Sequence, residues 1–300
     1  MFLMETAVVT GGTGFLGFGL LSELVRKGIF VYVVVRENSK RLKRLHGIEG
    51  IQIIEMDMKN ISNLGSYVKN IDVFYHLAWE GERNDFSGQM KNIGQTVEAM
   101  QVASQLGAKQ FIVTGSQAEY GIICNEKINE NTPTNPNTAY GACKLACYQI
   151  LSCLAKQIGI SLTWVRVFSV YGEGDNPNTL ISYLFKCFSD GKTPELTSGE
   201  QFWDFLYLND AANALYLLGE QKKEGLYNLA SGDNRPLKEF ILEVREVISP
   251  DSNLIFNANL GKEVVQLRAD VGKVQRELNW KPQTCFNEGI SNIKTSSFIL

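Results

Sequence analysis

The sequence has no long apolar run, no histidine cluster and no cysteine pair with the spacing of metal ligands. Without an apolar run of spanning length, we expect no membrane partner. Two histidines, His46 and His76, are too few for a histidine-rich metal site, so no metal is expected. The absence of a Cys-x-x-Cys pair favours free thiols in a reducing cytoplasm. The cysteines are Cys124, Cys143, Cys147, Cys153, Cys187 and Cys285.

No excess charge of either sign marks the chain. Its formal net charge of −3 over 300 residues gives no general attraction to nucleic acid, so no nucleic-acid partner is expected. The first residues lack the charged region, apolar core and cleavage site of a secretory signal, which favours a cytoplasmic location. The composition, 44% hydrophobic, is that of a globular protein with one large domain or two modest ones.

The first half alternates between apolar runs and segments with helical periodicity. Apolar runs separated by helices predict a parallel sheet covered on both faces, and hence a doubly wound, Rossmann-like α/β fold. The predicted strands are 6–10, 31–35, 51–55, 73–77, 110–114 and 162–167, and the predicted helices are 15–27, 92–106 and 138–158.

The alternation breaks after Tyr171. Residues 172–178 form a turn-rich loop, and a mixture of short strands and helices follows. A helix over 208–221 has the pattern of one that returns to the sheet. We therefore predict a cofactor-binding domain of residues 1–172, to which 204–232 return, and a smaller mixed α/β substrate-binding lobe of residues 173–203 and 233–300.

Three glycines, Gly11, Gly14 and Gly17, lie between the first strand and the first helix. In a dinucleotide site such glycines permit the tight turn, the approach of backbone to the pyrophosphate, and the packing of the helix on the strand. The helix N-terminus then offers N–H groups and a partial positive charge to the phosphates. The predicted contacts here are Gly11, Thr13, Gly14, Phe15, Leu16 and Gly17.

The end of the second strand selects the cofactor. An acidic side chain there would bind the adenosine 2′-hydroxyl, but the position holds Val35, followed by Arg36. Ser39 and Arg41 lie within reach, and a guanidinium suits a phosphate. The sequence therefore favours NADP(H). In the alternative, Arg36 and Arg41 are solvated and Glu37 takes the ribose.

Two further pairs of residues follow predicted strands and are candidates to contact the cofactor. Asp57 and Met58 come after the third strand and are expected near the adenine. Leu77 and Ala78 end the fourth strand and are expected to line the other side of the cofactor.

Tyr140 and Lys144 are one helical turn apart and share a helix face. The ammonium is expected to lower the pKa of the phenol and to hold the nicotinamide ribose. Ser116 follows a strand at the edge where open α/β sheets bind ligands, and its hydroxyl can orient a substrate oxygen. A lone Tyr-x-x-x-Lys is commonly structural, but together with the glycine turn and Ser116 it predicts catalysis by Ser116, Tyr140 and Lys144.

These features resemble the extended short-chain dehydrogenase/reductases, in the nucleotide-sugar epimerase/dehydratase branch. The resemblance spans nearly the whole chain. Its motifs are the glycine turn, His76-Leu77-Ala78, Asn92-x-Gly94-x-Thr96, Ser116 with Tyr120-Gly121, Tyr140-x-x-x-Lys144, residues 166–172, residues 198–205, Ala269-Asp270 and residues 277–282.

Departures from the family pattern narrow the reaction. Dehydratases carry Asp-Glu where this chain has Gln117-Ala118, and neither of these side chains transfers protons as a carboxylate does, so dehydration is disfavoured. Epimerases recycle a tightly bound NAD, whereas a 2′-phosphate pocket suits an exchangeable reductant. The string from Ser116 to Gly121 is also similar to that of reductases acting on nucleotide-linked 4-keto-6-deoxy sugars.

Another departure concerns the substrate. The family commonly has a pyrophosphate-binding Arg where this chain has Trp203, and Arg268 is a candidate to supply that charge. Trp203 either stacks on the substrate or packs in the protein. The resemblance implies a nucleotide-sugar substrate with candidate contacts at Ser116, Gln117, Asn178, Gln201, Trp203 and Arg268.

The resemblance implies an oxidoreductase of deoxysugar biosynthesis, which uses NADPH to reduce a nucleotide-linked keto sugar at C4. The alternatives are a nucleotide-sugar 4-epimerase with bound NAD and a non-catalytic NADP-binding sensor. The family often dimerises through two helices of its Rossmann domain. A homodimer through helices 92–106 and 138–158 is therefore expected; in the alternative, each of these helices only covers the sheet.

Overall fold

The computed structural model describes residues 3–123, 126–257 and 265–296, so that Cys124 lies outside the described residues. The strands are β1 (Thr6–Thr10), β2 (Phe30–Val35), β3 (Ile51–Glu55), β4 (Val73–His76), β5 (Gln110–Ser116), β6 (Ser161–Val167), β7 (Ser169–Tyr171), β8 (Glu195–Leu196), β9 (Phe202–Trp203), β10 (Phe205–Tyr207), β11 (Gly225–Leu229), β12 (Arg235–Pro236) and β13 (Ile255–Phe256). The helices are α1 (Phe15–Arg26), α2 (Phe86–Gln105), α3 (Ala139–Ile158), α4 (Leu180–Ser189), α5 (Leu208–Glu220), α6 (Leu237–Ile248), α7 (Gly272–Leu278) and α8 (Phe286–Thr295).

Seven strands form one parallel sheet in the order β11-β6-β5-β4-β1-β2-β3. The predicted Rossmann-like α/β fold is therefore confirmed. The chain leaves β1 toward β2 on one side and later returns to β4 on the other. Such a reversal opens a crevice at the carboxyl ends of the strands.

Two apolar layers cover the sheet. On one face α1 packs with α5, and Leu20, Leu24 and Leu215 are fully buried there. On the other face α2 packs with α3, and Met100 and Leu151 are fully buried there. Burial on both faces explains why the strands are almost continuously apolar, as the sequence predicted.

One helix and one strand are longer than predicted, and in both the added segment contains polar side chains. Helix α2 begins at Phe86 rather than 92, and its first turns carry Gln89 and Asn92, which bind the preceding loop instead of an apolar core. Strand β5 continues to Ser116 rather than 114, so Ser116 is the last residue of the strand. Apolar periodicity gave no signal for either extension.

The later part of the chain contributes both to the main sheet and to a separate apolar cluster. Helix α5 and strand β11 join the main sheet, whereas α4, α6 and α8 share a third apolar cluster that includes Phe240 and Phe286. The division into two domains at the predicted residues stays a prediction. In the described part of the chain, no helix is both long and apolar enough to cross a membrane.

Candidate active site

A cavity of about 850 Å³ opens at the carboxyl edge of the sheet. It lies at the ends of the neighbouring strands β1 and β4, and residues at or after the ends of β1, β2, β3 and β4 line it. Most of the predicted cofactor residues meet here. The predicted cofactor residues that do not line the cavity are Phe15, Leu16, Gly17, Tyr140 and Lys144. Those that do are Gly11, Thr13, Gly14, Arg36, Ser39, Arg41, Asp57, Met58, Leu77 and Ala78.

The glycine turn fits the predicted close approach of backbone. Gly11 has φ +75°, and a Cβ on it would lie 2.7 Å from the Ala78 nitrogen. A Cβ on Gly17 would lie 2.1 Å from the Gly11 oxygen, so Gly17 lets α1 pack on the turn. Gly14 precedes α1 and caps it with no side chain. The first-turn N–H groups therefore remain available to a phosphate.

The region after β2 carries both cations and a carboxylate. Arg36, Glu37, Ser39 and Arg41 all line the cavity. Arg36 Nη1 lies 3.2 Å from Glu80 Oε2, and both side chains are largely exposed. Both sequence interpretations therefore have their groups in place: guanidinium groups for a 2′-phosphate, and Glu37 for a ribose.

Tyr140 and Ser116 are brought together by α3 and β5. The Ser116 hydroxyl lies close enough to the Tyr140 hydroxyl to influence the pKa of the phenol, and the Ser116 Oγ accepts from the Ala118 N–H at 3.1 Å. Burial raises the pKa of Tyr140; the Ser116 hydroxyl and the charge of Arg83 oppose that effect. At neutral pH the phenol therefore keeps its proton.

Lys144 is buried beside these groups but acts differently from the prediction. Its Nζ donates to the Thr114 oxygen at 2.7 Å and is 3.7 Å from the centroid of the Trp79 ring. The distance from Nζ to the Tyr140 ring centroid is 5.8 Å. The expectation that Lys144 lowers the phenol pKa is wrong here, because burial dominates and the pKa of Tyr140 is raised. Burial also lowers the pKa of Lys144, to about 8.

A buried carboxylate that the sequence analysis missed holds Ser116 in place. Glu119 Oε1 accepts from the Ser116 N–H at 2.8 Å and from Trp164 Nε1 at 3.0 Å. Its Oε2 accepts from Arg166 Nε at 2.7 Å. Ser116 and Glu119 form a capping box around the short turn after β5. The Ser-x-x-Glu spacing is a sequence signal for that arrangement.

The loop after β4 is fixed by the first turns of α2. Asn92 Nδ2 donates to the Glu80 oxygen at 2.9 Å, and its Oδ1 accepts from the Glu80 N–H at 3.0 Å. Gln89 Oε1 accepts from Trp79 Nε1 at 2.6 Å. The result is that Trp79 projects toward Lys144 and Tyr140. Sequence reasoning also missed Trp79, although it directly follows Ala78.

His76 lies beneath this loop and stays neutral. Its Nδ1 is 2.9 Å from Thr10 Oγ1 and its Nε2 is 3.1 Å from Thr96 Oγ1. Burial lowers its pKa to about 3, and the nearby charge of Lys144 adds to this effect. A neutral imidazole with two hydroxyl partners joins β1, β4 and α2.

The predicted substrate contacts fall into separate groups. Gln201, Trp203 and Arg268 lie near each other, because Phe202 accepts a backbone hydrogen bond from Leu267 at 3.0 Å. The Arg268 guanidinium lies 4.6 Å from the Phe202 ring centroid. Trp203 packs against Phe205 with 6.3 Å between ring centroids, which matches the packing alternative.

The other two candidates lie elsewhere along the chain. Gln117 begins the turn after Ser116 and is half-buried. Asn178 is exposed, and its N–H donates to Asn176 Oδ1 at 2.9 Å. Whether any of these residues binds a substrate stays a prediction.

Comparison with known proteins gives consistent results. The sequence profile of the NAD dependent epimerase/dehydratase family matches residues 7–230. An uncharacterized UDP-glucose epimerase of Bacillus subtilis is 23% identical over 95% of this chain and 95% of its own length. CDP-abequose synthase of Salmonella typhimurium is 25% identical over 97% of this chain and 98% of its own length.

A solved structure has the same fold. The UDP-glucuronic acid 4-epimerase from Bacillus cereus, in complex with UDP-glucuronic acid and NAD, superposes with a TM-score of 0.83 at 23% identity. The match covers 96% of this chain and 97% of that one. The chain belongs to the NAD dependent epimerase/dehydratase family, and it is an enzyme of the extended short-chain dehydrogenase/reductase type.

Proposed function

We propose that the protein is an NADPH-dependent reductase of a nucleotide-linked keto sugar, acting on the C4 ketone of a 4-keto-6-deoxy sugar. The observation that carries the proposal is the composition of the cavity after β2. Val35 stands where an acidic residue would select NAD, while Arg36, Ser39 and Arg41 line the same cavity. Guanidinium and hydroxyl groups are the donors that a 2′-phosphate requires.

The residues beside the cavity suit proton delivery to a ketone. When bound, the cofactor supplies the hydride. Burial raises the pKa of Tyr140, so its hydroxyl carries a proton at neutral pH and can donate it to the forming alkoxide. The Ser116 hydroxyl, which lies beside that of Tyr140, stabilises charge on the same oxygen. Lys144 would hold the nicotinamide ribose.

The side chains that follow Ser116 disfavour water elimination. Gln117 and Ala118 offer no carboxylate for the proton removals of a dehydratase. The similarity to CDP-abequose synthase supports a nucleotide-linked sugar as substrate. We propose Ser116, Gln117, Asn178, Gln201, Trp203 and Arg268 as its contacts.

A nucleotide-sugar 4-epimerase with bound NAD is the second candidate. Arg36 is paired with Glu80, which reduces its availability to a phosphate, and Glu37 lines the cavity as an acceptor for ribose hydroxyls. The structural likeness to a 4-epimerase that holds NAD also favours this candidate.

One experiment separates the candidates. The purified protein is denatured, the released nucleotide is identified, and NADPH consumption is followed with a panel of nucleotide-linked 4-keto-6-deoxy sugars. The proposal predicts little bound NAD and consumption of NADPH with at least one sugar. Stoichiometric NAD without NADPH consumption would establish the epimerase instead. Tight NADP binding with no turnover on any sugar would indicate a non-catalytic sensor.

We also propose a homodimer through α2 and α3. These helices carry Phe86, Met90 and Ile150, whose side chains are 60%, 62% and 44% exposed. Large apolar side chains at such exposure are typical of a surface that another protein covers. Sedimentation equilibrium of the purified chain measures this directly.

A further inference from the structure

Trp79 lies between the cofactor cavity and the pair Tyr140 and Lys144. The residue lines the cavity on the side of β4. Its ring is perpendicular to the Tyr140 ring, with centroids 6.3 Å apart. Its ring centroid is only 3.7 Å from the Lys144 Nζ. One side chain therefore contacts both predicted catalytic groups.

The surroundings of Lys144 give this contact its importance. An ammonium has three N–H donors and is strongly hydrated in water. Among the described residues, one acceptor lies within hydrogen-bond distance of this ammonium, the Thr114 oxygen at 2.7 Å. Among the same described residues, no carboxylate forms an ion pair with the Lys144 ammonium; the nearby Glu119 is paired with Arg166. The electron-rich face of Trp79 is in direct contact with the ammonium and also stabilises its charge.

Trp79 is itself held in a fixed orientation. Its Nε1–H donates to Gln89 Oε1 at 2.6 Å. Gln89 is 1% exposed and donates through Nε2 to the Glu82 oxygen at 2.9 Å. A buried amide with partners on both its atoms fixes the plane of the indole. Such support by a second residue is what a precisely oriented site requires.

We propose that Trp79 is a positioning residue whose indole face keeps Lys144 charged and in place behind the wall of the cofactor cavity, where none of the described carboxylates forms an ion pair with it. For catalysis the inference rests on the proposed function, because a charged Lys144 is needed only if it holds a cofactor. The effect of Trp79 on the charge of Lys144 does not depend on the proposed function, because it follows from the geometry of the protein without cofactor.

Other charged and titratable groups face Lys144 from each neighbouring element. His76 from β4 is neutral at working pH. Glu119, after β5, and Cys147, on α3, both act on Lys144 by raising its pKa, while burial lowers it to about 8. Burial raises the pKa of Cys147 itself to about 11, so its thiol is uncharged at neutral pH. None of these groups changes when only the electronic character of Trp79 is altered.

The test therefore changes the ring electrons and leaves the shape almost unchanged. Mono-, di- and trifluorotryptophan are placed at position 79 of the full chain. The pKa of Lys144 is measured without cofactor from the Cε resonance of ¹³C-labelled lysine, assigned with Lys144→Arg. Fluorine withdraws charge from the ring face, so the pKa of Lys144 should fall stepwise, by about 1 across the series.

A matched control uses the same substitutions at Trp280, a buried ring that does not line the cavity. Fluorination there should leave the Lys144 pKa unchanged. A constant pKa across the position-79 series, in proteins that melt like the parent, would overturn the inference and leave Trp79 as packing. Because shape is preserved, loss of folding is not an expected complication.

Activity gives a second, separable readout. If the protein reduces a keto sugar, the alkaline limb of kcat/KM for NADPH should move with the Lys144 pKa in the fluorinated series. A pKa that falls in a protein with no reductase activity would support the role of Trp79 and refute the proposed function. If the Lys144 pKa falls but the alkaline limb of kcat/KM stays where it is, the inference that Trp79 acts in catalysis through Lys144 is overturned.

Discussion

Glu119 and Arg166 form a buried ion pair, with 2.7 Å between Oε2 and Nε and side chains that are 0% and 3% exposed. The same carboxylate accepts the N–H of Ser116. The guanidinium also lies 4.4 Å from the Tyr120 ring centroid, and Tyr120 donates to Asn228 Oδ1 at 2.6 Å. A continuous polar network therefore joins Ser116 to β11, inside the protein.

Replacing Glu119 by Gln should destabilise the protein markedly. The amide leaves the buried guanidinium without its counter-ion, and breaking one partner of such a pair costs about 3–5 kcal/mol. The free energy of unfolding in urea measures this. Asp190→Asn, which breaks an exposed pair with Lys192, is the control and should cause no measurable change. Equal stabilities of the two variants would contradict the account.

Asp204 should make stability depend on pH. It accepts three hydrogen bonds from Ser231 and Gly232, yet burial raises its pKa to about 6. The folded protein thus holds this proton more tightly than the unfolded chain does. The resulting stability is present below pH about 4 and is lost as the pH rises through about 6.

The comparison of wild type with Asp204→Asn isolates this group. The unfolding free energy of the wild type, relative to the variant, should fall by up to about 3 kcal/mol between pH 4 and pH 7. A difference that stays constant over this range would show that the carboxyl titrates normally. Urea titrations at half-unit pH steps provide the measurement.

Lys144 should set the alkaline limit of activity. Burial lowers its pKa to about 8, whereas the pKa of Tyr140 is raised. Loss of the lysine charge then weakens cofactor binding before the phenol ionises. The profile of kcat/KM for NADPH reports the free enzyme and should decline above pH about 8. In Lys144→Arg the rate should be lower, but the decline should vanish, since Arg does not titrate there. A decline that persists in this variant would assign it to another group.

Arg36 and Arg41 should discriminate between NADPH and NADH. A charge-assisted hydrogen bond contributes about 1.5–3 kcal/mol, so each change to Ala should weaken NADPH binding about tenfold or more. NADH binding should change little, because it has no 2′-phosphate. Fluorescence titration with both cofactors gives the ratio. Unchanged binding of both cofactors in the Ala variants would instead support the alternative, in which the arginines are solvated and Glu37 binds the ribose.

The sheet could be predicted from the sequence because each strand is buried on both faces. The predicted strands 6–10 and 51–55 match β1 and β3 residue for residue, and the glycine turn falls between β1 and α1 as expected. The predicted residues that follow β2, β3 and β4 also line one cavity, since parallel strands end at the same edge.

The electrostatics of the site could not be predicted in the same way. The expected effect of Lys144 on Tyr140 came from their spacing on one helix. Burial depends instead on groups distant in sequence, and it raises the phenol pKa. Trp79 lies close to Lys144 only because Gln89 and Asn92 fold the intervening loop back onto α2. Neither apolar periodicity nor a motif encodes that contact.

The most direct test of the central claim removes one oxygen atom. Tyr140→Phe keeps the ring and deletes the proposed proton donor, whose contribution to the rate is about 10²–10⁴-fold. The account predicts a loss of that size in NADPH-dependent reduction of the accepted keto sugar, with the Kd for NADPH within about twofold of wild type, because the cavity is unchanged. Turnover at half the wild-type rate or more would contradict it.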